Sequence, residues 1–186
     1  MLHEVEGDLF KSSEKYIVHQ CNCITTRAAH LAYHMFKRFP YSDVYTPRNG
    51  LGDKLHADLL MGNMDEPPTP QTMEMIRQED VPGEILIRGN GDDQRYVIAI
   101  LGQYYPGFVR YADSEKDGVK ARQRYFRSGL RQIAKIPSLE SIAFPYKIAC
   151  GAAGGDWDIY YKMLKDFSEN SVPEAEVYIY RLPGME

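Results

Sequence analysis

The 186-residue sequence lacks the features of proteins that cross membranes, carry a secretion signal or bind bulk nucleic acid. No apolar run approaches the roughly 20 residues that span a bilayer, and residues 1–4 carry neither the basic nor the apolar region of a secretory signal. A formal net charge of -4 and a pI of about 5.8 disfavour phosphate-backbone binding, which depends on clustered Lys and Arg. We therefore expect an intracellular, soluble protein, cytoplasmic or nuclear, with no membrane contact and no bulk nucleic-acid binding.

Cysteine is scarce as well. The count of three is odd, and Cys21 and Cys23 lie close together in an apolar stretch, which favours buried thiols over a disulfide framework. His19, Cys21, Cys23 and Cys150 are conceivable zinc ligands, but one Cys-x-Cys pair does not match the spacing of structural zinc sites. His19 is also a poor activating base for a cysteine nucleophile, because it lies two residues away along a strand. We predict no metal.

Hydrophobic patterning predicts one α/β domain covering residues 1–186. Strands are expected at residues 16–23, 84–88, 95–101, 141–146 and 177–182, with a hairpin between the second and third. Helical stripes are expected after residue 26, between residues 114 and 135, and from residue 157. Thr25 or Thr26 can cap the first helix, and the Lys and Arg residues of the second suggest a solvated face. This order predicts a mixed central sheet covered by helices on both faces.

Residues 49–82 differ from the rest of the chain, since they hold four methionines and three clustered prolines. Proline prevents regular structure in the middle of this segment, so we predict an insertion with one helical turn near residues 71–78. A mobile surface insertion is the favoured interpretation. A methionine-lined cap over a ligand, or a partner-binding surface, is the alternative.

Two loops at the ends of predicted strands are candidate ligand sites, because ligands of such folds bind beyond the carboxyl ends of the strands. The first loop opens at Cys21-Asn22-Cys23, and the second loop runs from residue 150 to residue 155. The small residues of the second loop would let backbone N–H groups approach a phosphate closely. The alternative is a plain tight turn, because the pattern is neither G-x-G-x-x-G nor a P-loop.

Two further candidate positions, Asp156 and the run that begins at Gln103, each have a structural and a ligand-binding interpretation. Asp156 precedes a helical stripe, which favours a role as N-cap over a ligand or catalytic role. The run that begins at Gln103-Tyr104 either places an aromatic ring beside a sugar or base or forms an ordinary turn.

Taken together, these motifs resemble the macro domain family of ADP-ribose-binding modules over most of the chain outside residues 49–82. Gly7-Asp8-Leu9-Phe10 is similar to the family's early motif, whose aspartate accepts a hydrogen bond from the adenine amino group. Residues 19–22 resemble the segment that reaches the distal ribose, and residues 26–32 resemble the first phosphate-side loop. Residues 149–157 resemble the second loop of the branch containing the yeast ADP-ribose 1''-phosphate phosphatase and the terminal ADP-ribose protein glycohydrolase.

The resemblance implies a three-layer α/β/α fold and a monomer without cofactors. Its partner would be ADP-ribose or an ADP-ribosylated protein or nucleic acid. Asn22, His30 and Asp156 would be the candidates for catalysis. The implied ligand-binding residues are Asp8, Leu9, Gln20, Asn22, Ala29, Leu31, Gln103, Tyr104, Cys150, Gly151, Ala152, Ala153, Gly154, Gly155 and Trp157.

Two departures from the family pattern bear on catalysis. Ala28-Ala29-His30 occupies the place where the first loop usually has glycines. Gln103 and either Ala153 or Gly154 stand where the glycohydrolase branch has a lysine and an aspartate, so a covalent lysine mechanism is not expected. The sequence predicts hydrolysis of an ADP-ribosyl linkage or an ADP-ribose derivative. The alternatives are a non-catalytic reader of ADP-ribose and an unrelated nucleotide-binding α/β domain.

Overall fold

A six-stranded sheet forms the centre of the protein. The computed structural model describes residues 1–48 and 79–185. The strands are β1 (Leu2–Glu6), β2 (Tyr16–Cys21), β3 (Ile85–Arg88), β4 (Tyr96–Leu101), β5 (Ser141–Pro145) and β6 (Glu176–Arg181), in the sheet order β1-β6-β5-β2-β4-β3. The helices are α1 (His30–Arg38), α2 (Val119–Ile133) and α3 (Trp157–Asp166). The predicted α/β/α fold with a mixed sheet is confirmed.

Five of the six strands run in parallel. Strand β2 pairs in parallel with β4 and β5, β5 pairs with β6, and β6 pairs with β1. Strand β3 pairs with β4 in the opposite direction, as the predicted hairpin requires. The carboxyl ends of β1, β6, β5, β2 and β4 therefore meet at one edge of the sheet, which we call the carboxyl edge.

Alternate residues of the central strands face two apolar layers. Ile17 and Cys21 of β2 pack with α1 on one face, whereas Val18 packs with α2 and α3 on the other. The predicted stripe of α2 contributes Phe126 and Leu130 to the second layer. Because α1 covers one face and α2 and α3 cover the other, the loops after β2 and β5 leave the carboxyl edge in opposite directions. A crevice opens between such loops.

The structure corrects three sequence predictions. Strand β1 had no predicted counterpart, because its alternation of half-buried and exposed residues is weak. Helix α1 begins at His30, and no described side chain caps its first turn, so the expected Thr25 or Thr26 cap is wrong. Helix α2 is not solvated along its whole basic face, because Arg122 is only 3% exposed.

The predicted insertion lies mainly outside the described residues. Its methionines, its prolines and the expected turn at residues 71–78 all fall within residues 49–78, so those predictions stay predictions. Asp80 is described, and its backbone N–H donates to the carbonyl oxygen of Cys23 at 3.1 Å. Among the helices of the described ranges, none is long and apolar enough to cross a membrane.

Candidate functional site

The carboxyl edge gathers the loops that the sequence singled out. In sheet order, the turn after β1 carries Asp8, the second loop follows β5, the first loop follows β2 and residues 102–118 follow β4. We call residues 102–118 the β4 loop. An elongated ligand lying along this edge would meet Asp8 near one end and the β4 loop near the other.

The tip of the second loop presents unpaired backbone donors. Gly154 N donates to Gly151 O at 3.1 Å and Gly155 N donates to Ala149 O at 2.9 Å, which closes the loop on itself. Within the described residues, the N–H groups of Gly151, Ala152 and Ala153 donate to no acceptor. A Cβ added to Gly151 would meet nothing within 4 Å, so the space beside it is open. Successive free N–H groups in an open loop form a binding site for an anion.

Just before the second loop, two non-glycine residues adopt left-handed backbone conformations. Lys147 has a φ of 56° and Ala149 a φ of 67°, in the region that favours glycine. Gly155 is required for a different reason, because a Cβ there would lie 2.6 Å from Ala149 O. The backbone is therefore strained just before the second loop, and the loop is tightly packed at its end.

The first loop spans residues 22–29 and ends at the amino terminus of α1. The N-cap residue, Ala29, has no side-chain oxygen, so among the described residues no side chain caps the first N–H groups of α1. His30 opens the helix with a φ of 53°, and its side chain is exposed. Because β2 and β5 are neighbouring parallel strands, this helix terminus lies at the same edge of the sheet as the second loop, and its partial positive charge suits an anion.

Asn22 organises the first loop from inside. Its Oδ1 accepts from the backbone N–H groups of Ile24 at 3.0 Å and Thr25 at 2.9 Å. Its Nδ2 donates to Thr25 Oγ1 at 2.9 Å and to the Tyr45 hydroxyl at 3.1 Å. Asn22 is 6% exposed, and both of its amide donors are used within the protein. The Asn22 side chain, which the resemblance places at the distal ribose, is thus hydrogen-bonded within its own loop.

Arg48 and Asp80 form an ion pair that supports the first loop. Asp80 Oδ2 accepts from Arg48 Nε at 2.9 Å and Nη2 at 2.7 Å. Arg48 also donates to Asn22 O at 2.6 Å and to Thr25 O at 2.9 Å, and it lies 4.5 Å from the centre of the Tyr45 ring. This buried cation satisfies carbonyl oxygens of the first loop that would otherwise lose solvation.

The ends of β2 and β4 are joined by a pair of amides. Gln20 Nε2 donates to Gln103 Oε1 at 2.8 Å, and Gln103 Nε2 donates to Tyr105 O at 2.8 Å. Gln20 Oε1 is buried against Gly102, where a Cβ would lie only 2.2 Å away. Within the described residues Gln20 Oε1 has no hydrogen-bond partner. Gln103 itself is 7% exposed, so the pair lies beneath the β4 loop.

Arg122 connects the β4 loop to the second loop. Its Nη1 donates to Gly107 O at 2.8 Å and to Ala153 O at 3.2 Å. Asp117 Oδ2 accepts from Arg122 Nη2 at 2.7 Å, and Asp117 Oδ1 accepts from the N–H of Tyr104 at 2.7 Å. Neither Arg122 nor Asp117 was a candidate site residue from the sequence. They lie five residues apart across the start of α2, a spacing that gives no local signal for an ion pair and does not show which loops the pair holds.

Asp8 lies at the opposite end of the carboxyl edge. Its Oδ1 accepts from the N–H of Phe10 at 2.9 Å and caps the short turn Leu9–Lys11. The described part of the chain offers no donor to Oδ2. One carboxylate oxygen is therefore structural and the other can accept a hydrogen bond from a ligand. Leu9, by contrast, is 6% exposed and belongs to the core.

Because of burial, the imidazole of His19 and the thiols of the three cysteines do not take part in acid–base chemistry near neutral pH. Burial lowers the pKa of His19 to about 4, so this imidazole is neutral, and its ring packs edge-on against Phe36. Burial raises the pKa of Cys21 to about 12 and, together with the nearby Asp156, raises that of Cys150 to about 12. The pKa of Cys23 is raised further still, also by burial. Thiols of this kind are poor nucleophiles.

Some of the remaining candidate site residues lie at the surface and others lie in the core. Asp156 is exposed and its Oδ1 accepts from the N–H of Asp158 at 3.0 Å, which matches the favoured N-cap interpretation. Trp157 is half-buried and meets Tyr146 at a ring-centre distance of 5.3 Å. Tyr104 is 1% exposed and its hydroxyl donates to Glu79, so its ring points into the core. Ala29 and Leu31 lie on either side of His30 at the start of α1.

Comparison with known proteins identifies the fold. No protein-family model and no curated protein matches the chain. Among solved structures, the macrodomain of Mycobacterium tuberculosis DarG superposes with a TM-score of 0.62 at 19% identity, covering 97% of both chains. The macrodomain of Thermus aquaticus DarG gives a TM-score of 0.60 at 21% identity, covering 97% of this chain and 98% of the other.

The chain has the macrodomain fold. A mutant macrodomain of Oceanobacillus iheyensis, solved with ADPR, is similar too, with a TM-score of 0.52 and 20% identity. That comparison covers 97% of this chain and 84% of the other. The macrodomain fold of this chain therefore agrees with the resemblance in the sequence.

Proposed function

We propose that this chain binds ADP-ribose along the carboxyl edge, with the diphosphate between the first and second loops. The observation that carries the proposal is that the N–H groups of Gly151, Ala152 and Ala153 have no acceptor among the described residues and lie at the same edge of the sheet as the amino terminus of α1, which no described side chain caps. Backbone donors and a helix dipole stabilise a diphosphate without any lysine or metal. The macrodomain fold and the similarity to a macrodomain solved with ADPR support ADP-ribose as the ligand.

The adenine of ADP-ribose would lie beside Asp8. The unpaired Oδ2 of that carboxylate is an acceptor for the adenine amino group, while Oδ1 keeps the local turn in place. Hydrogen bonds to charged groups contribute about 1.5 to 3 kcal/mol. The residues proposed to line the ligand directly are Asp8, Ala29, Leu31, Cys150, Gly151, Ala152, Ala153, Gly154, Gly155 and Trp157.

A second group of predicted residues would act on the ligand indirectly. Asn22 would hold the first loop in shape, since its amide donors are already used. Gln20 and Gln103 would support the β4 loop through their amide pair. Leu9 and Tyr104 would contribute packing, because both are buried in the core.

Isothermal titration calorimetry with ADP-ribose tests the proposal. We expect binding to the wild-type chain, and we expect Asp8→Asn to weaken it by roughly 10- to 100-fold, the equivalent of one charge-assisted hydrogen bond. Asn keeps an oxygen that can cap residues 9–11 but replaces the acceptor that faces adenine. Asp92→Asn, in the exposed hairpin turn, is the matched control. No heat at millimolar ADP-ribose with the wild-type chain would refute the function, and equal affinity in Asp8→Asn would remove Asp8 from the site.

The exposed imidazole of His30 favours hydrolysis as a second candidate function. His30 and Asp156 flank the two proposed diphosphate loops, and imidazole and carboxylate are the usual groups for activating water. Release of ADP-ribose from an ADP-ribosylated protein would reveal the activity. We expect His30→Gln or Asp156→Asn to lower kcat, and Asn at position 156 still caps α3. Full activity in both variants would show that neither side chain is catalytic, and no release by the wild-type chain would leave a reader of ADP-ribose.

A further inference from the structure

Phe108 covers part of the second loop although it belongs to the β4 loop. A Cβ placed on Gly154 would lie 2.2 to 2.6 Å from three carbons of the Phe108 ring, so the ring lies directly against Gly154. Gly154 has a φ of 78°, which glycine adopts without strain. At the same time 66% of Phe108 is exposed, so much of the ring remains open to solvent.

Buried polar residues hold the backbone next to Phe108. Arg122 donates to the carbonyl oxygen of Gly107, the residue before Phe108, and to that of Ala153, the residue before Gly154. The ion pair between Arg122 and Asp117 is 3% and 6% exposed on its two side chains. Arg122 therefore holds the backbone next to both residues of the contact between Phe108 and Gly154.

The order of the strands places Phe108 at a defined end of the proposed ligand. Strand β1, which leads to Asp8, lies at one edge of the sheet, and β4 lies four strands away. Adenine at Asp8 and the diphosphate at the second loop leave the distal ribose for the space beside Gly154 and the β4 loop. The exposed ring face of Phe108 borders that space.

We infer that Phe108 is a specificity-determining residue that packs against the distal ribose and so distinguishes ADP-ribose from ADP. The inference rests on the proposed function. An aromatic ring buries apolar surface against the C–H face of a sugar, and ADP, which ends at the second phosphate, makes no such contact. Arg122 holds the backbone before Phe108 in advance, which reduces the entropy lost on binding.

Titration of ADP-ribose and ADP against the wild-type chain and Phe108→Ala tests the inference. We expect Phe108→Ala to weaken ADP-ribose by about three- to tenfold, in the range of one aromatic contact, and to change ADP by less than about twofold. Phe108→Tyr keeps the ring and should bind ADP-ribose like wild type. Tyr111→Ala, an equally exposed aromatic residue at 65% on the same loop, is the matched control and should change neither ligand.

The possible results separate this inference from the proposed function. If the wild-type chain binds neither ligand, the proposed function itself fails. If it binds ADP-ribose but Phe108→Ala weakens both ligands equally, or neither, the role of Phe108 is refuted. Thermal unfolding of Phe108→Ala should match wild type, because the side chain is mostly exposed, and a large loss of stability would contradict the ligand-contacting role.

A double-mutant cycle with Gly154→Ala gives an independent readout. The added methyl group would collide with the Phe108 ring, so we expect Gly154→Ala to weaken ADP-ribose more in the wild-type background than in Phe108→Ala. Identical effects in the two backgrounds would show that the ring and the loop do not act together on the ligand.

Discussion

Arg48 donates from Nη2 to the carbonyl oxygen of Asn22 over 2.6 Å, while Asp80 accepts two hydrogen bonds from the same guanidinium. Asn22 in turn holds the backbone of Thr25 through its Oδ1. The first loop is thus supported by the ion pair of buried Arg48 with half-buried Asp80, whose members are 32 residues apart in the sequence. The stability of the protein and the reactivity of its buried groups depend on this hydrogen bond and on similar buried contacts beneath the carboxyl edge.

Removing the guanidinium should destabilise the protein strongly. We expect Arg48→Met to lower the free energy of unfolding by about 3 kcal/mol or more, because Asp80 and two carbonyl oxygens lose their buried partner. Urea unfolding followed by circular dichroism measures the change. Arg131→Met, on the exposed side of α2, is the matched control and should cost less than about 0.5 kcal/mol. A loss below about 1 kcal/mol in Arg48→Met would show that water replaces these contacts readily.

Glycine at position 149 should relieve backbone strain. Ala149 has a φ of 67°, a conformation that costs a Cβ-bearing residue about 1 to 2 kcal/mol. Part of that gain is offset by the greater entropy of glycine in the unfolded chain, so we expect Ala149→Gly to raise the free energy of unfolding by up to about 1 kcal/mol. Ala152→Gly, three residues further on and without a positive φ, should lower the free energy of unfolding slightly. Stabilisation by both substitutions, or by neither, would argue against strain at position 149.

Stability should fall as the pH falls from about 6.5 to about 4 because of His19. Burial depresses the folded-state pKa of this imidazole to about 4, so the unfolded chain takes up the proton first. The contribution is fully present above the unfolded pKa of 6.5 and is lost as the pH falls toward the folded pKa. Its upper limit is about 3 kcal/mol.

Chemical unfolding at several pH values, for the wild-type chain and for His19→Gln, measures this contribution. The glutamine variant should show a shallower pH dependence between pH 6.5 and 4. His34→Gln, on the exposed side of α1, provides the comparison. A slope that survives in His19→Gln would assign the effect to other groups.

The three thiols should react slowly near neutral pH. Cys150 is the least buried of them, yet burial and Asp156 raise its pKa to about 12, so little thiolate is present. We expect alkylation by iodoacetamide at pH 7.5 to be much slower than that of a free cysteine, as measured by mass spectrometry. Rapid labelling of Cys150 would contradict this environment and reopen the possibility of a nucleophilic thiol.

Much of the fold followed from local patterns in the sequence. Five strands and three helices were predicted near their observed positions, because runs such as residues 95–101 are apolar enough to be buried on both faces. Strand β1 was missed because an edge strand is stabilised by its partner, β6, more than by its own pattern. The start of α1 was predicted too early because Thr25 is hydrogen-bonded to Asn22 within the first loop and Ala29 is the N-cap residue.

The candidate site was only partly predictable. The small residues of the second loop and the cap formed by Asp156 are local features, and both are present in the structure as the sequence suggested. The sequence did not show that Asn22 forms hydrogen bonds that hold its own loop, because its partners Tyr45 and Arg48 come from another part of the chain. Whether a polar side chain faces a ligand or a neighbouring loop depends on such distant partners.

By itself, the sequence determined which residues are apolar, where the backbone turns and which loops follow parallel strands, because these depend on side-chain chemistry within a few residues. Only the tertiary structure decided that Arg122 ties the β4 loop to the second loop and that Phe108 covers Gly154. Those contacts join residues that are 31 and 46 positions apart, and only the packing of α2 and α3 on one face of the sheet brings them together.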